Sequence, residues 1–166
     1  ETPFAIRANA HYDPTDPDAP KNLLLHTAGE AWPYRGWPLA WHLVRLLSIA
    51  LGAITVWAVF HLGRVLFPGK PAIPLTMAAL TAFTPQFLFM SAVANNDNAA
   101  IAFSALVLWQ MAALLHETES WPILKRCIIL GLLLGLGLLS KANFIALIPV
   151  VGLAILVSCV RHKASG

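Results

Sequence analysis

From residue 38 onward the chain alternates long apolar runs with short polar turns. Five runs stand out, over about 39 to 60, 73 to 92, 99 to 115, 124 to 139 and 143 to 160. A helix crosses the hydrocarbon core of a bilayer with about 20 apolar residues, and it satisfies its own backbone hydrogen bonds on the way. The pattern therefore predicts an all-α, multi-pass transmembrane bundle of about five spans over residues 38–160. The fourth run is short, which predicts a span that tilts little or ends inside a protein-lined cavity.

Residues 1–37 break the pattern. In "YDPTDPDAP", Asp13, Asp16 and Asp18 alternate with prolines, which remove backbone donors and bias the preceding residue away from helix. This segment is expected to be irregular and to lie outside the bilayer as the end of an outer loop. Trp32, Tyr34, Trp37 and Trp41 follow at the edge of the first run, where half-wet rings suit the headgroup level.

Composition agrees. Hydrophobic residues make up 58% of the 166 and charged residues 11%, and the mean hydropathy is +0.68. Too few polar residues exist to cover a water-soluble surface, so lipid is the main solvent. The net charge of +3 comes from basic residues scattered singly beside apolar runs, a topology signal that gives no footing for nucleic acid. Cys127 and Cys159 each sit in an apolar run, form no metal or redox motif, and read as small hydrophobes.

Sidedness follows from the turns. "HLGRVLFPGK", "HETESWPILKR" and "RHKASG" carry Arg64, Lys70, Lys125, Arg126, Arg161 and Lys163, whereas "SAVANNDNAA" and "SKAN" carry Lys141 alone. Lys and Arg accumulate on the cytoplasmic side. Residues 1–37, the Asn-Asn-Asp turn and the Lys141 turn are thus expected outside, and 161–166 inside as a cytoplasmic tail. Small residues spaced i, i+4, namely Ser48 with Gly52, Ala78 with Ala82 and Gly131 with Gly135, are expected where helices approach closely.

Within this greasy chain a few polar groups ask for a role. Asn95, Asn96, Asp97 and Asn98 precede the third run. One of them would suffice to cap a helix; four together also suit a metal ion or a hydroxylated substrate, with Asp97 as the metal ligand and Asn96 beside it. Arg45 lies near the outer end of the first run and either snorkels or faces a lipid phosphate with its planar fork. Lys141 departs from the charge rule and serves as an anchor or as a point charge for phosphate. His26 and Glu30 share the i, i+4 spacing of a helix face, a weak metal signal without a third ligand, and His26 stays among the candidates for substrate contact. Neither a Gly-rich phosphate loop nor a nucleophile elbow occurs.

Three stretches in order carry a resemblance. "VRLLSIALGAITVWAVFHLGRVLFP" is similar to the Arg-containing second span of the C-type polytopic membrane glycosyltransferases, which include protein O-mannosyltransferases, lipid A aminoarabinose transferases and many bacterial relatives. "PQFLFMSAVANNDNAAIAFSAL" resembles their next outer turn, with an acidic residue at the head of a helix, and "GLLLGLGLLSKANFIALIPV" their glycine-rich span ending in Ser/Thr-Lys. The resemblance covers about residues 37 to 160. It implies an inverting sugar transfer from a polyprenyl-phosphate-linked donor at the outer face of a bacterial plasma membrane. The family's catalytic base is expected upstream of residue 1, so the chain is expected to be a fragment inactive alone, and Asp13, Asp16 and Asp18 do not inherit that role. Asp97 would help to bind acceptor or a divalent metal ion, and Arg45 and Lys141 would neutralise the donor phosphate. Two other readings compete: a transporter or flippase module for lipid-linked saccharides, and a non-catalytic membrane assembly subunit.

Overall fold

The computed structural model describes residues 7–8, 10–19, 24–25, 32–116 and 122–165, and divides into two compact units, residues 1–44 and 45–166.

In the first unit, β1 (Arg7–Ala8) and β2 (Leu24–Leu25) form a two-residue antiparallel ladder. The aspartate-proline segment between them is a series of side-chain-closed turns. Asp13 accepts from the Thr15 backbone N–H at 2.8 Å and its hydroxyl at 2.6 Å, and Asp16 accepts from the Asp18 N–H at 2.9 Å. Aspartate competes well for neighbouring N–H groups, which is why it recurs here. The aromatics gather just beyond: Tyr34 stacks on His42 at 3.9 Å, Trp32 meets Tyr34 edge-on, and Trp37 lies 5.4 Å from Trp41.

Six α-helices follow among the described residues: α1 (Trp37–Leu66), α2 (Ala72–Phe83), α3 (Pro85–Ala92), α4 (Asp97–His116), α5 (Ile123–Ser140) and α6 (Leu147–Ser165), with a short 3-10 helix, Ala142–Ala146, leading into α6. The unit boundary falls within α1. Among the described residues, four helices are long and apolar enough to cross a bilayer; a fifth span results if α2 and α3 count as one. The all-α multi-pass architecture is therefore as expected. The eighteen residues of α5 rise about 27 Å, close to the hydrocarbon thickness without tilt.

The second expected run, 73 to 92, is not one straight helix. It bends by 60° between α2 and α3. Pro85 has no N–H and crowds the residue before it, so Thr84 is pushed to φ −67° and ψ 119°. The Thr84 hydroxyl then donates to the Leu80 carbonyl at 2.6 Å, and the Thr81 hydroxyl to Met77 at 2.9 Å. With the Thr84 N–H turned to the Thr81 carbonyl, the Thr84 hydroxyl thereby occupies the Leu80 carbonyl that the break would leave bare in lipid.

The core of the second unit joins α4, α5 and α6 through Val107, Leu114, Leu130, Phe144 and Val151. Outward-facing leucines stay exposed, Leu139 by 86%, as lipid solvation permits. Close packing falls on α4, which buries Ala100, Ala102, Ala105, Ala112 and Ala113. Gly52 fits the small-residue expectation, since a Cβ there would stand 2.8 Å from the Ser91 hydroxyl. Gly131 and Gly135 do not: both are exposed with nothing within 4 Å. The tight glycine of α5 is Gly137, against which the Phe144 ring is packed. The lower end of the bundle is tied by basic residues, Arg126 donating to the Ala113 carbonyl at 2.6 Å and Arg161 to Leu115 at 3.4 Å. Both complement the negative end of α4.

Candidate functional site

The polar turn 95–98 gives each residue a separate task. Asn95 accepts from the Asn98 backbone N–H at 3.1 Å and so caps α4, while the Asn96 carbonyl receives the Ala100 N–H. Asn98 is buried, and its side-chain amide donates to the Val93 carbonyl at 2.8 Å, closing the turn from α3. Asn96 reaches across to another element and donates to the Ser140 carbonyl at 3.0 Å, at the end of α5. Asp97 is left as the first residue of α4, with its carboxylate at the positive end of the helix.

Lys141 meets it there. Its ammonium lies 2.5 Å from Asp97 Oδ1, with the two side chains 43% and 36% exposed. The residue is placed by the abrupt end of α5: Lys141 is extended at φ −156°, its N–H returns to the Gly137 carbonyl at 2.9 Å, and its own carbonyl accepts from Phe144. Phe144 in turn is 5% exposed and rests on Gly137. A glycine in α5 thus makes room for the ring that anchors the turn carrying the cation.

The pair opens onto a cavity of about 450 Å³ whose walls include Asp97 and Ser104 of α4, Asn143 and Phe144 of the 3-10 helix, Met90 and Leu147. One end is polar and charged while the floor is apolar, which suits an amphiphile with a hydroxylated or anionic head. Ser104 and Asn143 went unremarked in the sequence, although signals existed. Positions 97, 100, 101 and 104 follow the i, i+3, i+4, i+7 spacing of one helix face, and Asn143 stands two residues past Lys141 in "SKANF".

The structure thus brings Asn96, Asp97 and Lys141 to one end of the bundle. Arg45 stands apart from them: it is exposed on α1, lines no part of this cavity, and has no hydrogen-bond or ion-pair partner among the described residues. His42, one turn before it, holds the Pro38 carbonyl at 2.7 Å through Nδ1 beneath Tyr34. His26 and Glu30 lie outside the described residues.

A divalent metal ion fits this donor set poorly. The one carboxylate present is already engaged by an ammonium, and no group of three or more His, Cys, Asp or Glu side chains that could hold a metal ion occurs among the described residues. Calcium and magnesium sites call for several oxygen ligands.

No curated protein and no solved structure matches the chain. Residues 41–165 match the dolichyl-phosphate-mannose-protein mannosyltransferase family. The match takes in all three stretches on which the glycosyltransferase resemblance rested, and with well over half its length covered the chain belongs to that family.

Proposed function

We propose that the chain forms part of an integral membrane glycosyltransferase that moves a sugar from a polyprenyl-phosphate-linked donor to an acceptor at the outer face of a bacterial plasma membrane, with residues 1–37 outside. Its family consists of membrane glycosyltransferases of the polyprenyl-phosphate-sugar type. The observation that carries the assignment of roles is the Asp97–Lys141 pair at the mouth of the cavity.

In the transfer, an acceptor hydroxyl oxygen bonds to the anomeric carbon as the bond from that carbon to the phosphate oxygen breaks. The phosphate leaves with the electron pair, and the hydroxyl proton passes to a base. Lys141 offers a cation where negative charge grows on the leaving phosphate, and a fixed charge is worth most at such a point. Asp97 fixes that cation through Oδ1 and keeps Oδ2 for a sugar or acceptor hydroxyl; the Asn96 amide is anchored at Ser140, beside them. Arg45 and His26 belong to this reading as further contacts to the donor phosphate and substrate. The base is a residue outside this constellation, and no step is assigned to a metal.

The experiment is turnover of labelled lipid-linked sugar by the full-length enzyme carrying Asp97→Asn or Lys141→Gln. Half-exposed ion pairs contribute about 0–1 kcal/mol to stability, so both variants should fold. Loss of a charge aimed at the leaving group should lower turnover roughly 100-fold or more. A charge exchange, Asp97→Lys with Lys141→Asp, keeps the pair while reversing its polarity, and turnover should stay low. Wild-type rates in both single variants would remove the site from the chemistry.

One observation favours the transporter or flippase reading: the broken span at Thr84–Pro85, since transporters build sites from interrupted helices. Reconstituted flux of labelled lipid-linked sugar without transfer product would make that the better account.

A further inference from the structure

We propose that the turn between α1 and α2 is a binding site for the phosphate headgroup of an anionic membrane lipid, at the end of the bundle opposite Asp97. This rests on a different set of residues from the transfer site and stands without it.

The turn is built rather than loose. Phe67 N–H returns to the Gly63 carbonyl at 2.9 Å, Lys70 N–H to Phe67 at 3.3 Å, and Ile73 N–H to Lys70 at 3.1 Å. Gly69 takes φ +78°, a left-handed conformation that glycine adopts without strain. A Cβ on Gly63 would stand 2.9 Å from Pro74 Cα, so the start of α2 is pressed directly on α1. Between the two helices is a cavity of about 390 Å³, lined by Phe60, Arg64, Phe67, Lys70, Pro71 and Pro74.

Its charge is unbalanced. Arg64 and Lys70 both line it, and neither has an acidic partner among the described residues. Three other cations of this unit are engaged, Lys141 by Asp97 and Arg126 and Arg161 by carbonyls at the end of α4, whereas Arg45, also without a partner among the described residues, lines no part of this cavity. The Arg64 guanidinium carbon lies 6.0 Å from the centre of the Phe60 ring, at the outer limit of a cation–π contact, which leaves its N–H fork for an anion.

Depth selects the ligand. Gly52 and Thr55 line a cavity with Asn98 and Ile101, and further along Trp57 and His61 meet Trp109, so α1 runs alongside α4 in the same direction and Arg64 lies at the α4 C-terminal end. Residues 45–66 of α1 rise about 33 Å, a full hydrocarbon thickness, which brings Arg64 and Lys70 to headgroup level. Two cations above aromatic and proline walls match a phosphate attached to glycerol and acyl chains better than a free phosphate, which has no use for the apolar walls.

The purified full-length protein, stripped of lipid in detergent, is titrated with phosphatidylglycerol, phosphatidylcholine and soluble glycerol phosphate, and bound lipid is counted by native mass spectrometry. Phosphatidylglycerol should be retained where phosphatidylcholine is lost. The double variant Arg64→Gln, Lys70→Gln should bind it about 30-fold more weakly, from two cations near the membrane surface, while Arg161→Gln binds as wild type. Equal retention of both lipids, or an unchanged double variant, overturns the proposal. Displacement of phosphatidylglycerol by an equal concentration of glycerol phosphate would assign the cavity to soluble phosphates instead. Should the double variant fail to fold, wild-type retention is followed with rising salt: an ion-paired headgroup is released, and salt-independent retention refutes the site.

Discussion

Replacing Gly137 with alanine tests how the Lys141 turn is held. The added Cβ would overlap Cε1, Cδ1 and Cζ of the Phe144 ring, well inside any ordinary van der Waals contact. Two effects oppose each other. Alanine favours the helix by up to about 1 kcal/mol over glycine. Overpacking against a rigid ring costs about 1–3 kcal/mol, and this overlap is too deep for a small shift, so destabilisation should win by about 1–2 kcal/mol. Phe144→Ala alone should cost about 3 kcal/mol, because a 5% exposed ring is removed and a void remains. Together the two changes should cost less than their sum, since the new methyl enters the space the ring has left. The assay is unfolding of the full-length protein in mixed micelles as a double-mutant cycle, followed by sugar transfer. Gly137→Ala should also depress turnover, because the ring it displaces sits three residues from Lys141. Additive costs, or a stabilised Gly137→Ala, would refute the packing argument.

Other outcomes follow from the same geometry. Asn98→Ala should destabilise by about 1–3 kcal/mol by leaving the Val93 carbonyl without its donor, and Asn95→Ala by about 1 kcal/mol as a lost cap; the same micelle unfolding reads both. Asp97→Asn should change unfolding by no more than about 1 kcal/mol while turnover falls roughly 100-fold, and equal losses in both readouts would argue for a merely structural pair. In the first unit, the hydroxyl and then the N–H of Thr15 hold the Asp13 carboxyl below its ordinary 3.8. A lowered native value means the turn gains stability above the unfolded carboxyl's pKa and loses it as pH falls through the native one. Titration by NMR should show this, and Thr15→Val should move Asp13 back towards the ordinary range.

Span count and position were readable because hydropathy needs only composition and length. The ends of α4 and α5 fell within two residues of expectation for the same reason: polar residues collect where the bilayer ends. The bend at Thr84 escaped because the stretches flanking Thr84, Pro85 and Gln86 are apolar enough to keep the average high, and hydropathy is blind to a proline within such a run. Gly131 and Gly135 had the spacing of a packed face, yet α5 turns Gly137 inward. Spacing gives a helical stripe without saying which stripe faces the neighbour. The same indeterminacy governs Arg45, whose position near the outer end of a span was evident while its direction depended on tertiary contacts. Asp97 and Lys141 were each conspicuous as lone charges at span ends, and the charge distribution set both turns on one side; that the two groups touch depends on α4 and α5 packing side by side.

Both Asn96–Ser140 and Asp97–Lys141 link residues 44 positions apart. During synthesis α4 therefore enters the membrane with a bare carboxylate and an unanchored amide at its head, and they find their partners once the whole of α5 has been delivered. The mouth of the cavity is consequently a late product of biogenesis, and a nascent chain arrested before residue 141 would carry α1 to α5 and no assembled site.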